Sequence, residues 1–239
     1  MEALKSTIFN IPVAGIQPVT SIDFPGKLAA VIFTAGCPWN CRYCHNAALR
    51  FADNNANITP DTVESFLQSR AGFLDGVVIS GGEPTLHSAL PHLLTKIKKL
   101  GFATAIHTNG NFPEMIGLLL ARNLVDFVAM DIKAPPRIYD RITRAHNTGI
   151  AVARSISLIL SSKVDYEFRT TFHPHLLSEE ELMDTIHAVY NSGGRRYYIQ
   201  RFRCQGVYDE ELAAAGDVVV LPEAVVKEAR RIFDVFDVR

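Results

Sequence analysis

Short runs of β-branched and other apolar residues alternate along the chain with longer segments in which apolar residues recur at helical spacing. The short runs predict six strands, at 28–35, 76–80, 102–108, 124–132, 165–172 and 196–202. The intervening segments predict helices at 59–72, 87–101, 113–123, 151–162 and 178–194. Strands and helices that alternate in this way form parallel strands with right-handed crossovers, so the pattern predicts an open sheet or a β/α barrel.

Polar residues concentrate on one face of the predicted strands, toward their C-terminal ends. Successive side chains of a strand point to opposite faces, so Glu167, Arg169 and Thr171 share a face. The same counting in other strands adds polar side chains at His107, Asn109, Asp131, Lys133, Tyr198 and Gln200. Any one of these is readily explained as a satisfied polar group of the core. If the face points into a barrel, they converge at the mouth, where β/α barrels bind ligands.

Composition and charge limit the domain number, the partners and the location. The chain has 239 residues, 48% of them hydrophobic, and no linker or repeat divides it, so we expect one domain over 1–239 with residues 1–27 as an N-terminal extension. A net charge of −1 argues against nucleic acid as a partner. The chain begins without a signal-peptide core, and no apolar run reaches the ~20 residues of a membrane span. We expect a cytoplasmic protein with no membrane partner.

The stretch TAGCPWNCRYCHN places three of the four cysteines, Cys37, Cys41 and Cys44, within eight positions. Disulfides within this stretch would strain the chain and leave one thiol over, so the group is typical of a metal-ligand set. Iron–sulfur clusters are usually held by four cysteines, and three would leave one iron of a four-iron cluster open. The alternative is a zinc site that adds His45, although its position next to Cys44 makes joint chelation awkward. We expect Cys204 to be a structural residue.

A second motif follows one strand later. In VVISGGEPT, Gly81 and Gly82 allow a close approach of the backbone to a ligand, and Pro84 ends the strand. Together with C-x3-C-x2-C, this motif resembles the radical S-adenosylmethionine (SAM) superfamily. The resemblance implies a partial (β/α)6 barrel of the radical SAM type. It also implies a 4Fe-4S cluster at the three cysteines, whose open iron binds SAM and whose electron cleaves it to methionine and a 5′-deoxyadenosyl radical.

Further motifs narrow the resemblance to the glycyl-radical-activating branch, especially to activating proteins of anaerobic ribonucleoside-triphosphate reductase. These motifs are SIDFPGKLAAVIFTAGC, CRYCHN, SGGEPT, HTNG, MDIKAP and EFRTTF. In addition to the cysteines, the resemblance implies a set of residues that bind SAM, with the backbone of Tyr43 near the adenine. The set comprises Tyr43, Gly81, Gly82, Glu83, His107, Asp131, Lys133 and Arg169.

The resemblance implies an oxidoreductase that abstracts hydrogen from a glycine of a partner glycyl radical enzyme. It also implies a flavodoxin- or ferredoxin-type electron donor. Two alternatives remain open at this point. One is a radical SAM enzyme that acts on a small molecule, similar to 7-carboxy-7-deazaguanine synthase. The other is a zinc-stabilised binding module without catalysis.

The chain departs from the branch at His107. Glycyl-radical activators often read Asp-Thr-Asn-Gly at this place, where the aspartate helps hold a monovalent cation beside the SAM carboxylate. Imidazole is a poor ligand for sodium or potassium, which prefer oxygen. Either a protonated His107 hydrogen-bonds the SAM carboxylate in place of the cation, or it packs structurally. We expect the first, in which SAM binding weakens as the pH rises through the pKa of the histidine.

The thiol spacing gives the first testable prediction. Replacement of Cys37, Cys41 or Cys44 by Ala should abolish cluster assembly, because each thiolate holds a different iron. Iron content and visible absorption after anaerobic reconstitution measure this effect. The matched control is Cys204→Ala, which should assemble the cluster normally. Loss of cluster iron in that control would contradict the one-cluster interpretation.

Overall fold

A computed structural model describes residues 11–51, 57–217 and 219–239 of the chain. Within them, one eight-stranded sheet follows the order of the sequence, with the first strand antiparallel to the second and the remaining pairs parallel. The strands are β1 (Val13–Thr20), β2 (Ala29–Thr34), β3 (Gly76–Gly81), β4 (Ala103–Thr108), β5 (Phe127–Asp131), β6 (Asp165–Phe172), β7 (Arg196–Arg201) and β8 (Val235–Val238).

Helices connect the parallel strands. They are α1 (Pro60–Arg70), α2 (Leu90–Lys99), α3 (Pro113–Ala121), α4 (Tyr139–Thr143), α5 (Thr148–Leu160), α6 (Glu179–Asn191), α7 (Glu210–Ala215) and α8 (Glu223–Ile232). Short 3₁₀ turns occur at Ala47–Arg50, Pro84–Leu86 and Pro136–Ile138. Among the described residues, no helix combines the length and the hydropathy that a bilayer crossing requires.

The six predicted strands correspond to β2–β7, and the five predicted helices to α1, α2, α3, α5 and α6. The prediction of a partial barrel is confirmed. The sequence analysis missed β1, β8, α4, α7 and α8. Gly15 and Pro18 interrupt the strand signal of β1, and β8 has only four residues. The expected N-terminal extension contains β1, and its residues 1–10 lie outside the described part of the chain.

The sheet separates two apolar clusters. Side chains on its outer face, such as Ile79 and Ile106, are fully buried against helix residues such as Leu93 and Ile116. On the inner face, small residues of β2 to β5 form a second cluster with two phenylalanines: Phe24, Ala29, Val31, Val78, Ala105, Phe127 and Ala129. The small inner residues leave room for a segment that enters the barrel.

That segment is the turn 21–27 between β1 and β2. The ring of Phe24 stacks on Phe127 with centroids 5.7 Å apart and is only 3% exposed. A Cβ at Gly76, the first residue of β3, would lie 2.9 Å from the Phe24 ring. Phe24 therefore closes the N-terminal end of the barrel, and the opposite end remains available for a ligand.

This packing predicts that Phe24→Ala destabilises the protein by about 3–5 kcal/mol, because it removes a buried ring and leaves a cavity in the barrel floor. Urea unfolding of the apoprotein measures the loss. The matched control is Phe73→Ala, since the Phe73 side chain is 82% exposed. Equal losses of unfolding free energy in the two variants would show that packing of Phe24 does not stabilise the N-terminal end of the barrel.

Candidate active site

A cavity of about 330 Å³ opens at the C-terminal ends of the parallel strands. It contains every predicted site residue except Glu83. The lining residues are Asp23, Phe33, Cys37, Trp39, Cys41, Tyr43, Cys44, His45, Asn46, Ser80, Gly81, Gly82, His107, Thr108, Asn109, Asp131, Lys133, Arg169, Thr171 and Gln200. The inward polar face predicted from strand alternation therefore forms one wall of this cavity, and the loop after β2 forms another.

The cysteine loop, residues 37–46, carries the three clustered thiols. All three are free and partly buried. Burial raises the pKa of Cys37 to about 12 and that of Cys41 to about 11, so these thiols bind protons until a cation replaces them. The side-chain amide of Asn109 lies 3.7 Å from Cys37 Sγ and donates to it. This donor suits a thiolate ligand.

The donor set fits a cluster better than a single metal ion. Among the described residues, no group of three or more His, Cys, Asp or Glu side chains surrounds one point where an ion could sit. A zinc site needs such a group, whereas in a cluster each thiolate binds a different iron. His45 Nε2 lies 2.8 Å from the Arg203 carbonyl oxygen, to which it donates. Among the described residues, the buried indole N–H of Trp39 finds no hydrogen-bond partner, and such a free donor suits a cluster sulfur.

The glycine pair at the end of β3 packs directly on Thr34 and Gly36, which lead into the cysteine loop. Gly82 N donates to the Thr34 carbonyl and Glu83 N to the Gly36 carbonyl, both at 2.8 Å. Gly81 has φ +114°, and a Cβ there would collide with the backbone of Thr34. A Cβ at Gly82 would collide with the Gly36 carbonyl. Only glycine therefore allows the two loops to meet, which explains the Gly-Gly pair in physical terms.

Glu83 lies beside the cavity without lining it. Its carboxylate is fully buried and accepts from the Thr108 hydroxyl and the Asn109 N–H, both at 2.7 Å, as well as from the hydroxyl and N–H of Thr85. Burial raises the pKa of Glu83, and these donors oppose the rise. The carboxylate thus fixes the end of β4 to the glycine turn. Its predicted contact with SAM stays a prediction.

Three charged side chains line the wall formed by β5 and β6. The Nε and one terminal nitrogen of Arg169 each lie 2.9 Å from Asp131 Oδ1, and Lys133 Nζ lies 3.4 Å from Oδ2. Burial opposes ionisation of Asp131, but the charges of Arg169 and Lys133 lower its pKa to about 2. Lys133 Nζ also sits 5.2 Å above the centroid of the buried Tyr43 ring. One carboxylate thus orients two cations at the cavity wall.

His107 lines the cavity from β4. Its Nε2 lies 2.9 Å from the carbonyl oxygen of Asp23, which can only accept, so this nitrogen donates. Burial and the nearby charge of Arg169 lower the pKa of His107 to about 4. The imidazole is therefore neutral at pH 7 and offers Nδ1 as an acceptor. The expectation of a protonated His107 in place of a cation does not agree with this environment.

Several lining residues were missed by the sequence analysis. Asp23 reaches the cavity from the turn between β1 and β2. The sequence signal for it was an acidic residue two positions before Pro-Gly in the SIDFPGK segment. Ser80 has the same strand alternation as the predicted polar face. The side chain of Asn46 also lines the cavity and donates to the Gly81 carbonyl at 3.1 Å. That hydrogen bond is a further link between the cysteine loop and the glycine turn.

The neutral state of His107 predicts a pH-dependent stability. In the unfolded chain the imidazole titrates near ~6.5 and in the folded protein near 4, so only the unfolded state binds this proton between these values. Stability should therefore fall as the pH decreases from 7 to 4. His107→Gln should remove up to about 3 kcal/mol of that loss.

Urea unfolding of the apoprotein at several pH values measures the difference. The matched control is His92→Gln, because His92 is an exposed histidine of α2. An unchanged pH profile in His107→Gln would contradict the neutral assignment.

Comparison with known proteins agrees with this geometry. A family model described as the Radical SAM superfamily matches residues 31–189. A provisionally named glycyl-radical enzyme activating enzyme of Methanocaldococcus jannaschii is 37% identical over 205 residues, which cover 83% of this chain and 83% of the relative. The 7-carboxy-7-deazaguanine synthase of Halobacterium salinarum is 33% identical over 94 residues, which cover 38% of this chain and 36% of the relative.

Solved structures support the fold. The crystal structure of Streptococcus suis SuiB bound to precursor peptide SuiA matches with a TM-score of 0.64 and 14% identity. The match covers 87% of this chain and 48% of the SuiB chain, so this chain spans about half the length of that protein. The cysteine loop and the glycine turn both lie within the residues that the family model matches. The chain therefore belongs to the radical SAM superfamily, whose cofactors are a 4Fe-4S cluster and S-adenosylmethionine.

Proposed function

We propose that this radical SAM enzyme activates a glycyl radical enzyme by abstracting hydrogen from a backbone glycine of that partner. The observation that carries the proposal is the 37% identity to an activating-enzyme relative over 83% of both chains. Anaerobic ribonucleoside-triphosphate reductase is the proposed partner. A flavodoxin- or ferredoxin-type electron donor and a cytoplasmic location belong to the same proposal.

Cys37, Cys41 and Cys44 hold the cluster in this proposal. When bound, the two cofactors supply one-electron cleavage of a sulfonium and a carbon-centred radical that removes hydrogen from the substrate. The protein holds the thiolates at one side of the cavity and excludes water around them with Trp39, which is 2% exposed. Tyr43, also nearly buried, offers its backbone to the adenine.

In this proposal the charged wall formed by β5 and β6 binds the carboxylate group of SAM. Arg169 and Lys133 are the cations of this wall; Asp131 contacts both, and Glu167 lies 3.8 Å from Arg169 as well. Both cations line the cavity, and in this proposal they bind the methionine carboxylate there. Gly81 and Gly82 present backbone groups on the opposite side, and neutral His107 offers an acceptor at Nδ1. In this arrangement Asp131 orients the cations, and the glycine turn with Glu83 takes the amino group.

The entrance to the cavity favours a protein substrate. The connections at the mouth that follow β4 and β6, residues 109–112 and 173–178, are short. Among the described residues, neither adds a strand or a long helix over the opening. Thr171 and Gln200 line the cavity on β6 and β7, beyond the charged wall. A loop of a partner that carries its glycine backbone can therefore enter from this side.

A small-molecule reaction is the second candidate, since the chain is also 33% identical over 94 residues to a 7-carboxy-7-deazaguanine synthase. That similarity covers 38% of the chain, less than half the share covered by the activating-enzyme relative. The zinc-stabilised module has no comparable support, because the chain belongs to the radical SAM superfamily.

The proposal predicts a glycyl radical on the partner. The anaerobically reconstituted, reduced enzyme with SAM should form 5′-deoxyadenosine slowly alone. With anaerobic ribonucleoside-triphosphate reductase it should generate a protein radical seen by electron paramagnetic resonance (EPR). The hydrogen leaves the glycine Cα, so replacement of that glycine by Ala in the partner should abolish the signal.

The matched control is the Cys44→Ala enzyme, which should produce neither 5′-deoxyadenosine nor the radical. A missing glycyl radical together with fast, stoichiometric turnover of a pterin substrate would overturn the activase proposal in favour of the second candidate.

A further inference from the structure

An arginine within the cysteine loop pairs with a distant part of the chain. Arg42 lies between Cys41 and Tyr43, and its Nε donates to Asp209 Oδ2 at 2.6 Å. One terminal nitrogen of Arg42 donates to Asp209 Oδ1 at 2.8 Å and to Glu211 at 2.7 Å. A planar guanidinium held by both oxygens of a carboxylate has a fixed direction as well as a neutralised charge. The orientation of the loop at Arg42 is therefore set by residues 209–211.

Asp209 is itself anchored. It is the N-cap of α7, and its side chain accepts from the Leu212 N–H at 3.2 Å. Leu212 is fully buried in the main apolar cluster. The side chains of Arg42 and Asp209 are 25% and 16% exposed, so the pair is partly shielded from water. The arginine thus connects the cysteine loop to the packed core of the protein through a capped helix.

The same segment also contacts the loop on the other side of Cys44. The ring of His45 donates to the Arg203 carbonyl at 2.8 Å and lies 5.9 Å from the buried ring of Phe202. Gly206 has φ +82°, and a Cβ there would lie 2.5 Å from the His45 carbonyl oxygen. Residues 202–217 therefore touch the cysteine loop both before and after Cys44.

The two ends of segment 202–217 contact each other, and the segment lies outside the residues that the family model matches. Cys204 N donates to Asp217 Oδ1 at 2.6 Å, which joins the two ends of the segment. The family model matches residues 31–189, which end before the segment begins. Glu211 of this segment also lies 3.3 Å from His175 Nδ1, in the connection that follows β6.

We propose that residues 202–217 form a clasp that holds the cysteine loop around the cluster, with Arg42 as a positioning residue. Release of iron requires the thiolates of Cys41 and Cys44 to move away from it. The Arg42–Asp209 pair and the His45–Arg203 hydrogen bond oppose that movement on both sides of Cys44. The clasp therefore sets how long the cluster is retained and how its sulfur ligands are oriented.

The test measures iron loss from the anaerobically reconstituted protein to a ferrous chelator. Arg42→Gln and Asp209→Asn should each accelerate the loss about fivefold, and the double variant should be no faster than Arg42→Gln alone, because Arg42→Gln already removes the ion pair that Asp209→Asn weakens. The EPR spectrum of the reduced cluster should shift in both single variants. The melting temperature of the apoprotein should stay within about 2 °C, since a partly exposed ion pair adds little to stability.

Asp184→Asn is the matched control. Asp184 accepts from Arg137 at 2.7 and 3.3 Å on the surface of α6, away from the cysteine loop, and its loss should leave iron release unchanged. Wild-type iron loss in Arg42→Gln and Asp209→Asn would overturn the clasp, as would multiplicative effects in the double variant. Equal acceleration in Asp184→Asn would also overturn it. If Arg42→Gln does not fold, Asp209→Asn decides alone, because it changes only one oxygen of a helix cap to nitrogen.

Discussion

The close approach of two backbones is the constraint on which the site depends. The glycine turn after β3 donates two hydrogen bonds of 2.8 Å, to Thr34 at the end of β2 and to Gly36 just before the cysteine loop, and neither Gly81 nor Gly82 has space for a Cβ. Because β2 and β3 are parallel neighbours in register, both loops leave the sheet at the same edge. The register of the sheet therefore brings the start of the loop that carries the metal ligands next to the glycine turn.

The buried polar groups inside the barrel each have their own hydrogen-bond or ion-pair partners, which offset the cost of their burial. Glu83 is held by neutral donors, whereas Asp131 is held by two cations, so burial raises the pKa of the first carboxyl while the cations lower that of the second. Burial and the charge of Arg169 keep His107 neutral, and its Nε2 donates to the Asp23 carbonyl. Phe24 packs in the apolar cluster at the N-terminal end of the barrel, beneath these groups. The cavity therefore has polar walls and an apolar base.

Local patterns in the sequence were sufficient to predict most strands of the sheet and the polar residues of the cavity wall. Strand alternation placed His107, Asp131 and Arg169 on one face, since side-chain direction in a strand depends only on sequence spacing. The environment of His107 could not be predicted, because its partner is a backbone carbonyl 84 residues away, and every residue has such a carbonyl. The same holds for Glu83, whose motif indicated a ligand contact while its carboxylate bonds to Thr85, Thr108 and Asn109.

The two sides of the cysteine loop are held by different kinds of contact. On the inner side, the glycine turn fixes the loop through main-chain hydrogen bonds, which depend on the sheet and on the absence of side chains at two positions. On the outer side, Arg42 and His45 fix it to residues that follow β7. Main-chain contacts cannot be changed without loss of the fold, but a side-chain pair can be substituted. In the clasp proposal, substitutions at the outer contacts change cluster retention, whereas the main-chain contacts of the glycine turn stay the same.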